Sequence, residues 1–135
     1  DMPQTHGYSG KPLFQKLGMK PGFRVLPINA PDQYSDLVSD AEGVSFVDQG
    51  PAELVHLFCA HRAELEAGYQ SALDQVEPGG MLWVSWPKKS SKLFVDVTED
   101  DLRTIILPTG WVDVKVCAVD ADWSGLKFLK RKAKK

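Results

Sequence analysis

Apolar and polar positions change their spacing several times along the chain, and these changes divide it into short strands and helices. Strands are predicted at residues 23–28, 44–47, 54–60, 81–86, 112–119 and 126–131. Helices are predicted at residues 9–18, 32–39, 62–76 and 99–107, the last with Thr98 as its N-cap. Residues 54–60 (LVHLFCA) are apolar without alternation, which is typical of a strand covered on both faces. Residues 112–119 alternate strictly, with Val112, Val114, Val116 and Ala118 on one face.

The stretch from residue 76 to residue 91 sets the architecture that we expect. A helix is predicted to end at Pro78-Gly79-Gly80, a buried strand follows, and the strand continues into Pro87. Strands that alternate with helices, followed by two strands joined by a short loop, indicate an α/β fold. We therefore predict a three-layer, mostly parallel sheet of about six strands with a C-terminal antiparallel hairpin.

Length and charge narrow the functional classes. A chain of 135 residues predicts one domain, at residues 9–131, between a disordered N-terminal arm (1–8) and a basic tail (132–135). Because there is no apolar run of about 20 residues and no signal sequence, we expect a cytoplasmic, bacterial-type protein with no membrane contact. The net charge is −2, but six basic residues lie at 127–135, so the rest of the chain carries −8. Nucleic acid is therefore an unlikely partner.

The order of elements resembles the Rossmann-like fold of S-adenosylmethionine-dependent methyltransferases. The matching segments are GFRVL at residues 22–26, VEPGGML at residues 76–82, and the closing hairpin. One of that family's strands is missing between Asp48 and Leu54. Nearly the whole chain also resembles a family of small bacterial proteins of unknown function, through GYSGKPL, LVHLF, GGMLWVSWPKKSS, TEDDLR and VDVKVCAVDADWSGLKF. This second resemblance implies no activity.

The loop after the first strand argues against a cofactor. In methyltransferases this loop is rich in glycine, which allows the backbone to approach the cofactor closely. Here residues 26–32 (LPINAPD) contain no glycine, and two prolines stiffen the loop and remove backbone donors. The resemblance makes Asp48 the acidic residue that would hold the cofactor ribose. We expect no cofactor and no specific binding of S-adenosylmethionine.

Polar residues at the predicted strand ends form the candidate site, because the carboxyl ends of parallel strands share one rim of the sheet. Two ammonium groups and two hydroxyls in the loop after residue 86 (Lys88-Lys89-Ser90-Ser91) could hold a phosphate or carboxylate, although a solvated loop is the alternative. His61 could act as an acid or base, or simply as a helix cap. The predicted ligand-binding residues are Asn29, Asp48, His61, Arg62, Trp86, Lys88, Lys89 and Ser90.

No arrangement of residues indicates catalysis or a metal site. Cys59 and Cys117 lie in separate runs of strand-forming residues, so we expect both to be core residues. The function that we predict is a non-catalytic module that binds a small anionic ligand or a protein partner and has a degenerate cofactor loop. The alternative is a small S-adenosylmethionine-dependent methyltransferase. The sequence leaves the oligomeric state open.

Overall fold

Six strands and four helices follow one another along residues 10–132, the part of the chain that the computed structural model describes. The strands are β1 (Arg24–Ile28), β2 (Ser45–Phe46), β3 (Ala52–Phe58), β4 (Val76–Pro87), β5 (Trp111–Ala118) and β6 (Trp123–Lys130). The helices are α1 (Leu13–Leu17), α2 (Tyr34–Leu37), α3 (Arg62–Asp74) and α4 (Glu99–Ile106), and a 3-10 turn at Leu107–Thr109 follows α4.

The strands form one sheet in the order β2-β1-β3-β4-β6-β5. The first four strands in this order are parallel, and β6 is antiparallel to both β4 and β5. The predicted α/β class is therefore confirmed, as are the six strands and the C-terminal antiparallel hairpin. Between β2 and β3 the described chain has only the loop at residues 47–51.

Each face of the sheet is covered by a different pair of helices. On one face α3 and α4 pack against a core that includes Leu57, Leu82 and Phe128. On the other face α1 and α2 pack against a second core around Leu54 and Trp83. The indole Nε1 of Trp83 donates a hydrogen bond to the carbonyl oxygen of Leu17, at 2.8 Å, so the end of α1 is tied to the middle of the sheet.

The start of β4 differs from the prediction. Helix α3 ends at Asp74 and β4 begins at Val76, so the Pro-Gly-Gly segment lies inside the strand rather than at a helix end. The register between β3 and β4 shifts at this point, and Gly79 has a φ of 84°. A bulge accommodates a proline that cannot donate to the ladder and a glycine in the left-handed region. The polar and small residues at the start of β4 do not have the apolar pattern typical of a strand, so the sequence did not predict this extension.

The C-terminal hairpin also departs from the predicted pattern. β5 does not alternate strictly, because the register with β6 shifts between Asp113 and Lys115 and leaves Val114 as an extra residue. Val114 and Val116 are 48% and 50% exposed. Trp123, which falls between the strands predicted at residues 112–119 and 126–131, lies in β6 and is buried.

Helix α4 begins as predicted, since Thr98 is its N-cap and accepts a hydrogen bond from the Asp101 N–H at 3.3 Å. None of the helices within residues 10–132 is long and apolar enough to cross a membrane. The predicted N-terminal arm and residues 133–135 of the predicted basic tail lie outside the described residues.

Candidate functional site

The chain changes direction across the sheet after β1. From β1 it goes first to β2 on one side and then to β3 on the other side, so β1 and β3 flank a topological switch point. In open α/β sheets, ligands bind in the crevice outside the carboxyl ends of the strands at such a point. Ile28 and Phe58, the last residues of β1 and β3, therefore mark the first place to look for a site.

The turn after β1 has an unusual backbone conformation. Asn29 has a φ of 59°, in the left-handed region, and is the one non-glycine residue with positive φ in the described chain. Asparagine is enriched several-fold among non-glycine residues in this region. The turn therefore reaches a conformation usually supplied by glycine, although its sequence contains none.

A pocket of about 330 Å³ opens beside this turn, between the ends of β1 and β2 and the start of α2. Its volume lies within the range of roughly 300–1,000 Å³ that is usual for small-molecule sites. The lining is mostly apolar, with two polar residues at its margin. The lining residues are Pro27, Ala30, Pro31, Asp32, Tyr34, Ser35 and Phe46.

A chain of buried polar side chains runs inward from this pocket. The hydroxyl of Tyr34 lies 3.0 Å from Nδ1 of His56, and Nε2 of His56 lies 2.8 Å from Oγ of Ser85. His56 and Ser85 have no exposed surface. Burial lowers the pKa of His56 to about 3, so the ring is neutral near pH 7 and one nitrogen donates while the other accepts. The three residues thus satisfy one another inside the core.

Aromatic packing surrounds this polar chain. His56 stacks on Phe58 with ring centroids 4.3 Å apart, and Tyr34 meets both rings edge-on. Trp123 packs edge-on against Phe58 at 5.1 Å, and its Nε1 has no hydrogen-bond partner among the described residues. Sequence reasoning missed this cluster. The available signal was His56 within the apolar run LVHLF, because a buried polar group needs a partner.

The structure divides the predicted site residues between separate places. Asn29 and Asp48 are exposed and follow β1 and β2, next to the switch point. His61 is the N-cap of α3, and the Glu64 carboxylate accepts hydrogen bonds from the backbone N–H groups of Ala60 (2.6 Å) and His61 (3.3 Å). His61 therefore occupies the cap position given above as its alternative role.

Arg62 is already paired with acidic residues. Its guanidinium lies 3.3 Å from the Glu66 carboxylate and 3.6 Å from that of Asp101. Its backbone N–H donates to Oδ1 of Asp96 at 2.8 Å. The positive charge of Arg62 is thus matched by neighbours on α3 and α4, and the residue helps to fix the start of α3.

The remaining predicted residues belong to a second pocket, beside the loop that follows β4. Trp86, Lys88 and Lys89 line this pocket of about 480 Å³, whereas Ser90 is exposed and does not line it. Acidic and basic side chains face the same space. The other lining residues are Val97, Thr98, Glu99, Asp100, Arg103 and Ser124. This pocket shares no lining residue with the pocket beside the turn after β1. An anion site here stays a prediction.

Comparisons with solved structures identify the fold. A methyltransferase from Geobacter sulfurreducens, S-adenosylmethionine-dependent and complexed with S-adenosyl-L-homocysteine, matches with a TM-score of 0.54 and 12% identity, over 88% of this chain and 89% of its own. The DhpI complex with S-adenosylhomocysteine matches with a TM-score of 0.53 and 14% identity, over 82% of this chain and 78% of its own. Ribosomal protein L11 methylase from Lactobacillus delbrueckii subsp. bulgaricus matches with a TM-score of 0.56 and 8% identity, over 89% of this chain and 76% of its own.

The fold is methyltransferase-like and Rossmann-like. No protein-family model and no curated protein matches the chain. The resemblance to a bacterial family of unknown function therefore stays a prediction.

These neighbours correct the functional prediction. The expectation of a non-catalytic module with a lost cofactor loop is wrong, because the similar solved structures are methyltransferases and two of them hold S-adenosylhomocysteine. The alternative, a small S-adenosylmethionine-dependent methyltransferase, is better supported. The turn after β1 contains no glycine, but Asn29 there has the left-handed backbone conformation that a glycine usually supplies.

Proposed function

We propose that this protein is a small methyltransferase that binds S-adenosylmethionine at the carboxyl ends of β1 and β2, beside the switch point between β1 and β3. The observation that carries this proposal is the left-handed turn at Asn29 beside an apolar pocket, at the carboxyl ends of β1 and β2. The methyltransferase neighbours have the same fold, and an open α/β sheet binds its ligand at this rim.

The residues around the turn suit the cofactor. The apolar surfaces of Tyr34 and Phe46 can pack against a purine ring, and a largely apolar pocket with few polar groups is the usual design of a cofactor site. Asp48, exposed just after β2, is placed to accept hydrogen bonds from ribose hydroxyls. When bound, S-adenosylmethionine supplies a methyl group on a positively charged sulfur, which a nucleophilic acceptor can attack.

The protein's own groups limit the mechanism. Among the described residues, Asp32 is the one charged group that lines the pocket, since His56 is buried and neutral and His61 caps α3. We therefore propose that the chain acts mainly by holding the cofactor and the acceptor in line, a positioning effect that can lower a barrier by roughly 7–11 kcal/mol.

Calorimetric titration of the full chain with S-adenosylmethionine and S-adenosylhomocysteine tests this proposal. We expect a dissociation constant of about 100 μM or tighter, roughly −5.5 kcal/mol. Asp48→Asn should weaken binding about tenfold, because it removes charge from a hydrogen-bond acceptor. Asp40→Asn, at an exposed acidic residue of the turn after α2, is the matched control and should bind like the wild type.

Two results would contradict the proposal. The absence of binding heat at millimolar concentrations of both ligands would show that the protein does not bind this cofactor. Equal affinity in wild type and Asp48→Asn would show that the ligand is held elsewhere than at the end of β2.

A further inference from the structure

The last strand of the sheet, β5, has an open side. β5 is at the end of the strand order and pairs only with β6 within residues 10–132. It is eight residues long and two of its valines are half exposed. The other side of this strand is therefore available to a further strand, and a long exposed edge is a template for pairing.

The hydrogen-bond pattern shows which backbone groups face outward. The N–H of Val119 donates to the carbonyl oxygen of Trp123, at 2.8 Å. Because paired residues alternate along an antiparallel ladder, Cys117 also pairs with β6, whereas Val116 and Ala118 direct their backbone groups away from it. Consistently, Nζ of Lys16 reaches the carbonyl oxygen of Ala118 from outside, at 2.9 Å. The N–H and C=O of Val116 remain for a partner.

A groove of about 580 Å³ follows this edge. The groove is lined by three lysines. Lys11 lies just before α1, Lys16 lies on α1, and Lys115 lies on β5. Val116, Cys117 and Ala118 supply a largely apolar floor. Adjacent residues of a strand point to opposite faces, so Lys115 and Val116 present charge on one side of β5 and apolar surface on the other.

Further lysines extend the positive charge. Lys127 on β6 is paired with Lys115 in the strand register. Burial lowers the pKa of Lys127, and the positive charges of Lys115 and Lys20 lower it further. The ion pairs found among residues 10–132 all involve arginines, and no lysine of this group has a carboxylate partner there. We call the set the β5 lysine group. Its members are Lys11, Lys16, Lys20, Lys115 and Lys127.

We propose that the outer edge of β5 binds an extended acidic segment of a partner protein, which adds to the sheet as a seventh strand. In this mode the main chain provides the hydrogen bonds and alternate side chains provide the specificity. A segment that alternates apolar and acidic residues would extend the apolar side of Val116 and place its carboxylates toward Lys115 and Lys16. The inference does not depend on the cofactor proposal, because β4 and β6 separate this edge from β3.

Charge argues against two other occupants. A second copy of this chain would bring two β5 lysine groups together, and like charges on adjacent strands are destabilising. A nucleic acid could contact the lysines, but its phosphates would also face the outward carbonyl oxygen of Val116, to which a peptide N–H can donate. An acidic strand can pair its carboxylates with the lysines and its backbone with the outward N–H and C=O of Val116.

Fluorescence anisotropy with a labelled, end-blocked peptide of about eight residues that alternates valine and glutamate tests this inference, since that length matches a typical strand. The wild-type protein should bind this peptide at least tenfold more tightly than two control peptides. One control alternates valine and lysine, and the other carries a central proline that cannot join a ladder. A single-stranded oligonucleotide of the same net charge serves as a competitor.

Two substitutions locate the binding. Lys115→Glu should weaken binding at least tenfold, whereas Lys92→Glu, the same charge change at an exposed residue after β4, should leave it unchanged. Val116→Pro removes an outward N–H but no bond to β6, so it should weaken binding while the fold survives. If Val116→Pro fails to fold by circular dichroism, Lys115→Glu and the proline peptide decide the question.

Three outcomes would overturn the proposal. The first is equal affinity of Lys115→Glu and Lys92→Glu for the peptide. The second is equal binding of the proline peptide, which would reduce the contact to charge alone. The third is complete displacement of the peptide by the oligonucleotide at equal concentration, which would make this edge a nucleic-acid surface.

Discussion

The switch-point rim and the β5 edge offer two different kinds of surface on one sheet. Under the rim, Tyr34, His56 and Ser85 satisfy one another and fix the wall of a small apolar pocket. Along the β5 edge, the lysines have no acidic partner among residues 10–132, and the outward side of the strand has no neighbouring strand there. The interior therefore fixes the geometry of the first surface, whereas the geometry of the second depends on what binds to it. Substitutions under the rim should therefore affect folding, and those at the edge should not.

The largest effect is expected from His56→Leu. This change leaves the hydroxyls of Tyr34 and Ser85 buried without a partner, so the free energy of unfolding should fall by about 2–4 kcal/mol. Urea denaturation measures it. The matched control is the triple variant Tyr34→Phe/His56→Leu/Ser85→Ala, in which no polar group is orphaned and most of the loss should be recovered. A single variant as stable as the wild type would contradict the role of this chain.

The pH dependence of stability provides the next effect. The folded protein holds His56 with a pKa of about 3, whereas the unfolded chain takes up a proton near pH 6.5. The contribution of His56 to the free energy of unfolding is therefore fully present above pH 6.5 and decreases as the pH falls. Between pH 7 and pH 5 the free energy of unfolding should fall by about 2 kcal/mol. The triple variant should lack this loss. Equal losses in both proteins, measured by denaturation at the two pH values, would show that His56 is not buried as neutral.

Asn29 provides a smaller effect at the rim itself. Asn29→Ala places a residue that prefers other conformations at a φ of 59° and should cost about 1 kcal/mol, whereas Asn29→Gly should be neutral or stabilising. Thermal unfolding of the two variants measures the difference. Equal stability of the alanine and glycine variants would mean that the left-handed turn is not maintained in solution.

The smallest effect is expected at the charged loop after β4. The double change Lys88→Ala/Lys89→Ala should alter the unfolding free energy by less than about 0.5 kcal/mol, since exposed lysines contribute little to folding. If the loop binds anions, sulfate at matched ionic strength should stabilise the wild type more than the double variant. Equal stabilisation of both proteins by sulfate would leave the loop simply solvated, because sulfate also strengthens burial generally.

The sequence was sufficient for the sheet and insufficient for the site, for identifiable reasons. Strand and helix periods, such as the apolar run around Leu57, depend on burial alone and predict the elements well. The extension of β4 through Pro78 and the bulge at Val114 depend on register, which a local pattern does not encode. The polar chain joins residues up to 51 positions apart, from Tyr34 to Ser85, and only the fold brings them together.

The central claim is that the cofactor binds at the switch point and not along the β5 edge. Amide hydrogen exchange of the full chain, with and without saturating S-adenosylmethionine, measures this directly. We expect slower exchange at residues 28–35 and 47–49, around Asn29 and Asp48, with β5 (Trp111–Ala118) unchanged. Unchanged exchange around Asn29 and Asp48, or protection confined to β5, would contradict it.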